Sequence, residues 1–239
     1  MLYDACRALY DAAFPGEPET FTKAMFDRYF PHCLRVIREG DQPTAMLFSI
    51  PYPLVTASGV TEAHYLYAVA THPDHRGKGL ARRLLQEEAA RYPVFLRPMT
   101  PSLFDFYEKV GFRPLSPLGI RAGEAAPNGE GCRLLTPQEY LDRRDAIAPL
   151  PHCRPTLDFL SLYAHDGGFV ETEGALALYE KSGEAILFKE YWGDPVFAPR
   201  MAAFLGGARF ELRQRDENGT PFGMGASMPY EAAFLAALD

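Results

Sequence analysis

The chain has 239 residues, of which 47% are hydrophobic and 23% are charged, and its formal net charge is −7. This composition is typical of a globular protein with ample material for a core. It argues against a general nucleic-acid binder, because neutralising phosphates requires a basic surface.

The sequence predicts a cytoplasmic protein that does not interact with membranes. No apolar run approaches the length of a membrane span, and the first fifteen residues have the spacing of an amphipathic helix and not that of a secretory signal. The four cysteines are scattered too widely for a disulfide framework, so we expect reduced thiols.

The first half of the chain alternates between helical and strand-like patterns. Its predicted elements are helices Leu2–Phe14 and Thr20–Phe30, strands Cys33–Arg38, Thr44–Ile50 and His64–Thr71 (the last preceded by a polar connection at Ala57–Glu62), helix Gly79–Arg91, strand Pro93–Arg97, a helix from an N-cap at Ser102 to Val110, and strand Phe112–Ile120. A helix that crosses between two strands implies a parallel pair. We therefore expect an α/β fold with a mixed, twisted sheet flanked by helices.

The second half repeats this order after a small, glycine-rich segment at Ala122–Gly131, which predicts a linker. Its predicted elements are helices Thr136–Ala146 and Thr156–Ala164, strands Gly167–Thr172, Ala175–Lys181 and Ala185–Trp192, helix Pro195–Leu205, strand Ala208–Asp216 and helix Glu231–Leu238. We expect two domains, 1–121 and 132–239, the second a smaller α+β module. The shared order favours a diverged duplication.

The stretch Tyr67–Arg83 carries the clearest functional pattern. An apolar strand passes through a proline-containing turn and the loop Arg76-Gly77-Lys78-Gly79-Leu80-Ala81 into a helix. Such a connection points free backbone N–H groups and the positive end of a helix dipole at one place, which suits a phosphate or pyrophosphate. The glycines are spaced neither as in a P-loop nor as in a dinucleotide fingerprint.

This segment resembles the acetyl-CoA signature of the GNAT (GCN5-related N-acetyltransferase) superfamily, Q/R-x-x-G-x-G/A, whose specified positions are filled by Arg76, Gly79 and Ala81. The later run FYEKVGF, which begins at Phe106, matches a second hallmark of the family. The resemblance covers about Leu2–Leu115 and implies an acyl-CoA N-acyltransferase fold. It also implies transfer of an acetyl group from acetyl-CoA, used as co-substrate without a metal, to an amine.

The second half is similar to the degenerate second module of tandem GNAT proteins and is expected to help form the acceptor site. It lacks the CoA loop, because only Gly193 and Asp194 separate Trp192 from the next predicted helix.

The resemblance implies a set of CoA-binding residues at the strand end, in the loop and at the start of the following helix. They are Val69, Ala70, Thr71, Arg76, Gly77, Lys78, Gly79, Leu80, Ala81, Arg82, Ser102 and Leu103. Backbone amides would hold the pyrophosphate, and a large side chain at Gly77 or Gly79 would block its approach.

Tyr107 occupies the family's general-acid position, where a phenol with a pKa near ~10 can protonate the leaving thiolate. The alternative is that Tyr107 has no catalytic role and packs in the core, on one helix face with Leu103 and Phe106. The acceptor amine must first lose a proton to a general base. Among Glu62, His64 and Tyr65, which lie just before or within the strand that borders the family's acceptor site, we take Glu62 as the candidate base. The chain's C-terminal carboxylate, on Asp239, is another candidate.

Three other patterns have simple structural explanations. The repeated His-Cys pairs at His32-Cys33 and His152-Cys153 lack the spacing of a zinc site, so chance is the better explanation. The Arg143-Arg144 pair is expected on a solvated helix face. Trp192 and its neighbours Phe188 and Tyr191 could line an acceptor pocket, although core packing is the commoner use of such residues.

Three functions are left open. The leading one is an N-acetyltransferase acting on a small-molecule, antibiotic or peptide or protein amine. The alternatives are an acyltransferase that uses a longer acyl-CoA and a non-catalytic acyl-CoA sensor. The expected partners are acetyl-CoA and an amine acceptor. Nucleic acid and membranes are not expected, and a homodimer is left open.

Overall fold

The computed structural model describes residues 1–164 and 167–235. The chain forms two compact units, and neither is a single continuous segment. Unit 1 contains Met1–Pro53, Thr61–Pro114 and Gly223–Pro229. Unit 2 contains Leu54–Val60, Leu115–Phe222 and the residues from Tyr230 onward.

The α-helices of the described residues are α1 (Leu2–Ala13), α2 (Glu19–Tyr29), α3 (Leu80–Ala89), α4 (Pro101–Glu108), α5 (Pro137–Ile147), α6 (Leu157–Leu160) and α7 (Ala198–Phe204). The strands are β1 (Leu34–Glu39), β2 (Gln42–Pro51), β3 (Leu54–Thr56), β4 (Gly59–Thr61), β5 (His64–Thr71), β6 (Val94–Leu96), β7 (Arg113–Glu124), β8 (Arg133–Leu135), β9 (His152–Cys153), β10 (Gly167–Thr172), β11 (Ala175–Ser182), β12 (Ala185–Gly193), β13 (Arg209–Arg215) and β14 (Thr220–Ala226). Short 3₁₀ turns lie at Pro73–His75, Ser161–Ala164 and Pro195–Phe197.

The sheet of unit 1 has the strand order β1-β2-β5-β6-β14. β1, β2 and β5 pair antiparallel, β5 and β6 pair parallel, and β6 and β14 pair antiparallel. The parallel pair is joined through α3, because two parallel strands need a crossover connection, which is usually a helix. β14 comes from the far end of the chain, so unit 1 is completed by a distant segment.

Helices cover both faces of this sheet. Phe48 of β2 packs edge-on against Phe26 of α2, with ring centroids 5.2 Å apart. Its neighbour Leu47 points to the opposite face and joins a buried cluster with Leu84 and Leu85 of α3. A strand buried on both faces needs a continuous apolar run, and eight successive residues of β2 are buried.

The main sheet of unit 2 has the order β7-β13-β12-β11-β10-β8, and β12 and β13 form its parallel pair across α7. A small second sheet has the order β4-β3-β9. The antiparallel series β10-β11-β12 followed by a helix and a parallel strand repeats the pairing of β1-β2-β5-β6 in unit 1. The predicted α/β class, with a mixed sheet flanked by helices, is confirmed.

Several predicted boundaries are wrong. The linker expected at Ala122–Gly131 begins too early, because β7 continues to Glu124, which pairs with Arg209 of β13. The polar connection expected at Ala57–Glu62 contains β4. Ser102 lies inside the first turn of α4, and Thr100 is the N-cap.

The closing helix predicted at Glu231–Leu238 is absent over the described part of that range, 231–235. There the chain is extended, since Ala233 forms a parallel bridge with His152 and its N–H donates to the carbonyl of Pro151. The remaining residues of the predicted helix, and the candidate base Asp239, lie outside the described residues.

The solvated face expected for the Arg143-Arg144 pair is wrong for Arg144. This residue is fully buried in unit 2, where its guanidinium donates to both carboxylate oxygens of Glu190 and to the carbonyl of Cys153. Phe188 and Tyr191 belong to the buried cluster of unit 2, in line with the core-packing alternative.

Candidate functional site

The strand β5 separates from its neighbour β6 after its first two residues. The two strands pair only at His64 and Tyr65, opposite Val94 and Phe95, and β5 then continues for six residues without this partner. Its other edge stays paired with β2 as far as Thr71. The unit therefore presents a free backbone edge on β5 beyond Tyr65, and an extended, amide-rich ligand can pair with such an edge.

A β-bulge lies at the start of this free edge. Ala68 has a φ of +54°, and the register with β2 shifts so that Ala68 and Val69 together oppose Leu47. A bulge of this kind bends its strand and re-aims the backbone groups around it. Positive φ is costly for alanine, so the surrounding packing holds this conformation in place.

The loop after β5 brings a helix end to the same place. Gly77 and Gly79 have φ values of +78° and +76°, which alanine or larger residues adopt with strain, and Gly79 is the N-cap of α3. A β-carbon at either glycine would meet no atom within 4 Å. The glycines are thus needed for the backbone conformation itself.

The N-terminus of α3 is uncapped by any side chain. Gly79 has none to offer, and the first helical hydrogen bond runs from the Arg83 N–H to the carbonyl of Gly79. The N–H groups of Leu80, Ala81 and Arg82 therefore have no acceptor within the helix. Together with the helix dipole, they form an anion-binding site.

These features border a cavity of about 460 Å³. All the predicted CoA-binding residues line it except Lys78 and Ser102. The sequence interpretation missed four further lining residues, namely Ala13 and Phe14 at the end of α1, His75 in the loop and Phe106 on α4. We call this space the donor cavity.

The charges around the loop are partly paired. His75 lies 3.3 Å from a carboxylate oxygen of Glu39 and 3.2 Å from the ammonium of Lys78, both measured from its Nδ1. The guanidinium of Arg76 donates to the carbonyl of Thr71 over 3.4 Å. Arg82 lines the cavity, and no described side chain pairs with it.

Tyr107 lies on α4, one turn after Leu103, which lines the donor cavity. Its side chain is 6% exposed and belongs to the buried cluster of unit 1, with its ring 5.9 Å from that of Phe112. Burial raises its pKa to about 12. The phenol therefore stays protonated throughout the physiological pH range and can act only as a proton donor there.

Glu62, the predicted base, is held by a buried histidine. Its carboxylate lies 3.3 Å from Nε2 of His64, whose Nδ1 lies 2.8 Å from the hydroxyl of Ser49. His64 stacks on Tyr92 with ring centroids 4.0 Å apart. Neither Glu62 nor Tyr107 lines the donor cavity.

The sequence interpretation also missed a tyrosine pair just before the bulge. The hydroxyls of Tyr10 on α1 and Tyr67 on β5 are 2.8 Å apart. Burial raises the pKa of both phenols, that of Tyr10 to about 12. The amphipathic spacing of the first residues predicts that this helix has a buried face, which contains Tyr10, but no local pattern indicates the partner of Tyr10 on β5.

The described residues contain no group of three or more His, Cys, Asp or Glu side chains that could hold a metal ion. The cysteines are free thiols. No helix of the described chain is long and apolar enough to cross a bilayer.

Comparison with known proteins finds one matching family model. The model of the acetyltransferase (GNAT) domain matches residues 2–115. No curated protein sequence is similar enough to the chain to count as a relative.

Solved structures share the fold over nearly the whole chain at low sequence identity. One is a conserved protein from Enterococcus faecalis described as a probable N-acyltransferase, with a TM-score of 0.72, 14% identity, and coverage of 93% of this chain and 69% of that one. Another is a GCN5-related N-acetyltransferase from Kribbella flavida, with a TM-score of 0.67, 13% identity, and coverage of 93% and 68%. A third, a GCN5-related N-acetyltransferase from Anabaena variabilis, has a TM-score of 0.66, 11% identity, and coverage of 91% and 68%.

Proposed function

Because residues 2–115 match the model of the acetyltransferase (GNAT) domain, we propose that the protein transfers the acetyl group of acetyl-CoA directly to an amine. The observation that carries the proposal is the meeting of three features at one cavity: the free edge of β5, the bulge at Ala68 and the uncapped start of α3. We assign the chemistry to the predicted domain 1–121.

The donor would be held mainly through the backbone. Its pyrophosphate fits the N–H groups that begin α3, and its pantetheine arm can pair with the edge of β5 at Val69, Ala70 and Thr71. Arg82 adds positive charge beside the phosphates. Backbone recognition explains why small residues occupy the loop, since Gly79 and Ala81 leave the amides accessible.

Acid–base chemistry would be divided between two residues. An alkylammonium acceptor must lose a proton before its nitrogen can attack the thioester, and we assign this step to the Glu62 carboxylate, directly or through water. As the carbon–sulfur bond breaks, the thiolate takes a proton from the Tyr107 hydroxyl. The raised pKa of Tyr107 keeps that proton in place until the sulfur needs it.

Thiol release tests this assignment. The full-length protein is incubated with acetyl-CoA and a panel of small-molecule, antibiotic and peptide amines, and free CoA is followed. We expect at least one amine to raise CoA release, and we expect Tyr107→Phe to lower kcat by about 100-fold with little change in the KM for acetyl-CoA. The ring is retained, so the variant should unfold at nearly the same temperature.

Tyr3→Phe is the matched control, because Tyr3 bonds Asp27 at the surface of unit 1 and does not line the donor cavity. Full activity of Tyr107→Phe at neutral pH would contradict its role as general acid. Thermal stabilisation by acetyl-CoA without turnover of any amine would favour a sensor. Faster turnover of longer acyl-CoA compounds would favour an acyltransferase that uses a longer acyl-CoA as its donor.

A further inference from the structure

Unit 2 contains a cavity of its own, about 860 Å³ in volume and larger than the donor cavity. Its walls are the last turn of α5, the start of β8, the turn that joins β10 to β11, and the end of β12. This volume lies in the range of small-molecule binding sites. None of these residues has a role in the proposed acetyl transfer.

Part of the wall is apolar. Ile147, Leu176 and Trp192 all line the cavity. Ile147 is half exposed although it is a large aliphatic residue. A ligand with an apolar body would remove this surface from water, which is favourable by roughly 25 cal/mol per Å².

A buried hydrogen-bond donor lies in the same wall. Trp192 is 5% exposed, and its Nε1 is buried without a hydrogen-bond partner among the described residues. Leaving such a group unpaired costs about 1–3 kcal/mol. An acceptor atom on a ligand that reaches this N–H would satisfy it.

The charged groups at the rim favour an anion. The carboxylate of Glu171 is bonded to Arg133, with 2.7 Å between Nε and Oε1, and that of Glu173 lies 3.1 Å from Arg200. Arg143, in contrast, is 61% exposed, and its contact with Glu171 spans 3.6 Å, which is too long for a hydrogen bond. One oxygen of each rim carboxylate is therefore paired with Arg133 or Arg200, whereas the guanidinium of Arg143 has donors to spare.

We propose that this cavity binds a small aryl carboxylate. The carboxylate pairs with Arg143, whose planar guanidinium suits it. The aromatic body lies against Ile147 and Leu176, and an oxygen of the ligand accepts the Trp192 N–H.

Two probes native to the chain report on this cavity. Trp192 is the single tryptophan, so its fluorescence reports binding directly. Cys132 lines the cavity and is partly exposed, whereas the other three cysteines are buried. Alkylation of Cys132, followed by mass spectrometry, therefore gives a second readout of occupancy that does not depend on the tryptophan.

The full-length protein is titrated with a panel of aryl carboxylates headed by phenylacetate, and with the neutral phenylacetamide. We expect phenylacetate to change the Trp192 emission saturably, to slow alkylation of Cys132, and to bind about 10-fold more tightly than phenylacetamide, which corresponds to ~1.4 kcal/mol. Arg143→Gln should reduce the affinity for phenylacetate to that for the amide, whereas Arg121→Gln, at an exposed arginine of β7, should leave it unchanged.

Trp192→Phe keeps an aromatic ring and removes the N–H, so it should weaken binding several-fold as judged by Cys132 protection. Absence of saturable binding by every carboxylate of the panel at millimolar concentration would overturn the proposal. Equal binding of acid and amide, unaffected by Arg143→Gln, would overturn the assignment of a carboxylate ligand.

Discussion

The buried charges of unit 2 determine how that unit responds to pH. Arg144 and Glu190 are both fully buried, the Arg144 guanidinium donates two hydrogen bonds to the Glu190 carboxylate, and the Tyr140 hydroxyl donates to the same carboxylate. His152 lies nearby and is 2% exposed. Burial, and then the positive charge of Arg144, lower its pKa below the usual value of 6.5. The folded protein therefore holds this imidazole neutral.

This arrangement predicts an acid-sensitive fold. The unfolded chain takes up a proton at His152 near pH ~6.5, while the folded chain resists it, so the free energy of unfolding falls as the pH drops below that value. Urea denaturation at pH 7.5 and pH 5.5 measures the loss and avoids the range in which most carboxylates titrate. His152→Phe cannot titrate and should lose less stability between the two values. The same pH dependence in both proteins would contradict the role of His152.

The burial of Arg144 could not be predicted from the sequence around it. Its neighbour Arg143 is exposed, and α5 has only three buried residues, so apolar spacing does not mark its inner face. The partner Glu190 lies on β12, far along the chain. By contrast, the place of Tyr107 on a helix could be predicted, because the run FYEKVGF combines aromatic residues at helical spacing with a helix-ending glycine. Its role as general acid was inferred from the family resemblance and stays a prediction.

At the scale of the element, β5 and α3 make the donor cavity. The glycines at 77 and 79 predict the turn before α3, because both positions have a positive φ, which favours glycine. The loop and the strand before it were therefore predictable. The bulge at Ala68 was not, because alanine carries no signal for positive φ, and the bulge arises from the pairing with β2.

Substitution at Ala68 tests whether the bulge matters for activity. Ala68→Gly removes the steric cost of positive φ, about 1–2 kcal/mol, so we expect a protein that is at least as stable and remains active. Ala68→Val places a β-branched side chain in the same conformation and should destabilise the fold by more than ~1 kcal/mol and lower kcat/KM for acetyl-CoA. Thermal unfolding and initial rates measure both effects. Full activity and stability of Ala68→Val would show that the bulge is dispensable.

At the scale of the whole molecule, the two units exchange segments of the chain. Unit 1 takes Gly223–Pro229, and Met224 of this segment is fully buried in the cluster around α3. Its strand β14 was not predicted, because TPFGMGA contains a proline and two glycines, which local patterns assign to loops. Strand pairing with β6 overrides that preference.

A chain cut at the predicted boundary therefore lacks a strand of its own sheet. We expect residues 1–121 alone to aggregate or to lack a cooperative unfolding transition, because β6 is left with an unpaired edge and the site of Met224 is empty. Residues 1–121 joined through a glycine-serine linker to residues 220–229 should recover the transition. Near-UV circular dichroism during heating compares the two. Equal, cooperative unfolding of both would mean that β14 contributes little to unit 1.

Equilibrium binding of acetyl-CoA, measured by calorimetry, tests whether the donor cavity binds CoA at the start of α3. Ala81 lines the donor cavity in the first turn of α3. A carboxylate at this position is stabilised by the positive end of the helix dipole, but it repels a bound pyrophosphate. We predict that the wild-type protein binds acetyl-CoA and that Ala81→Glu weakens binding by at least about 10-fold without loss of stability. Gln86→Glu adds the same charge at an exposed position of α3 outside the donor cavity and should bind normally. Unchanged affinity in Ala81→Glu would show that the pyrophosphate does not bind at the start of α3. No binding by the wild-type protein would show that the donor cavity is not an acetyl-CoA site.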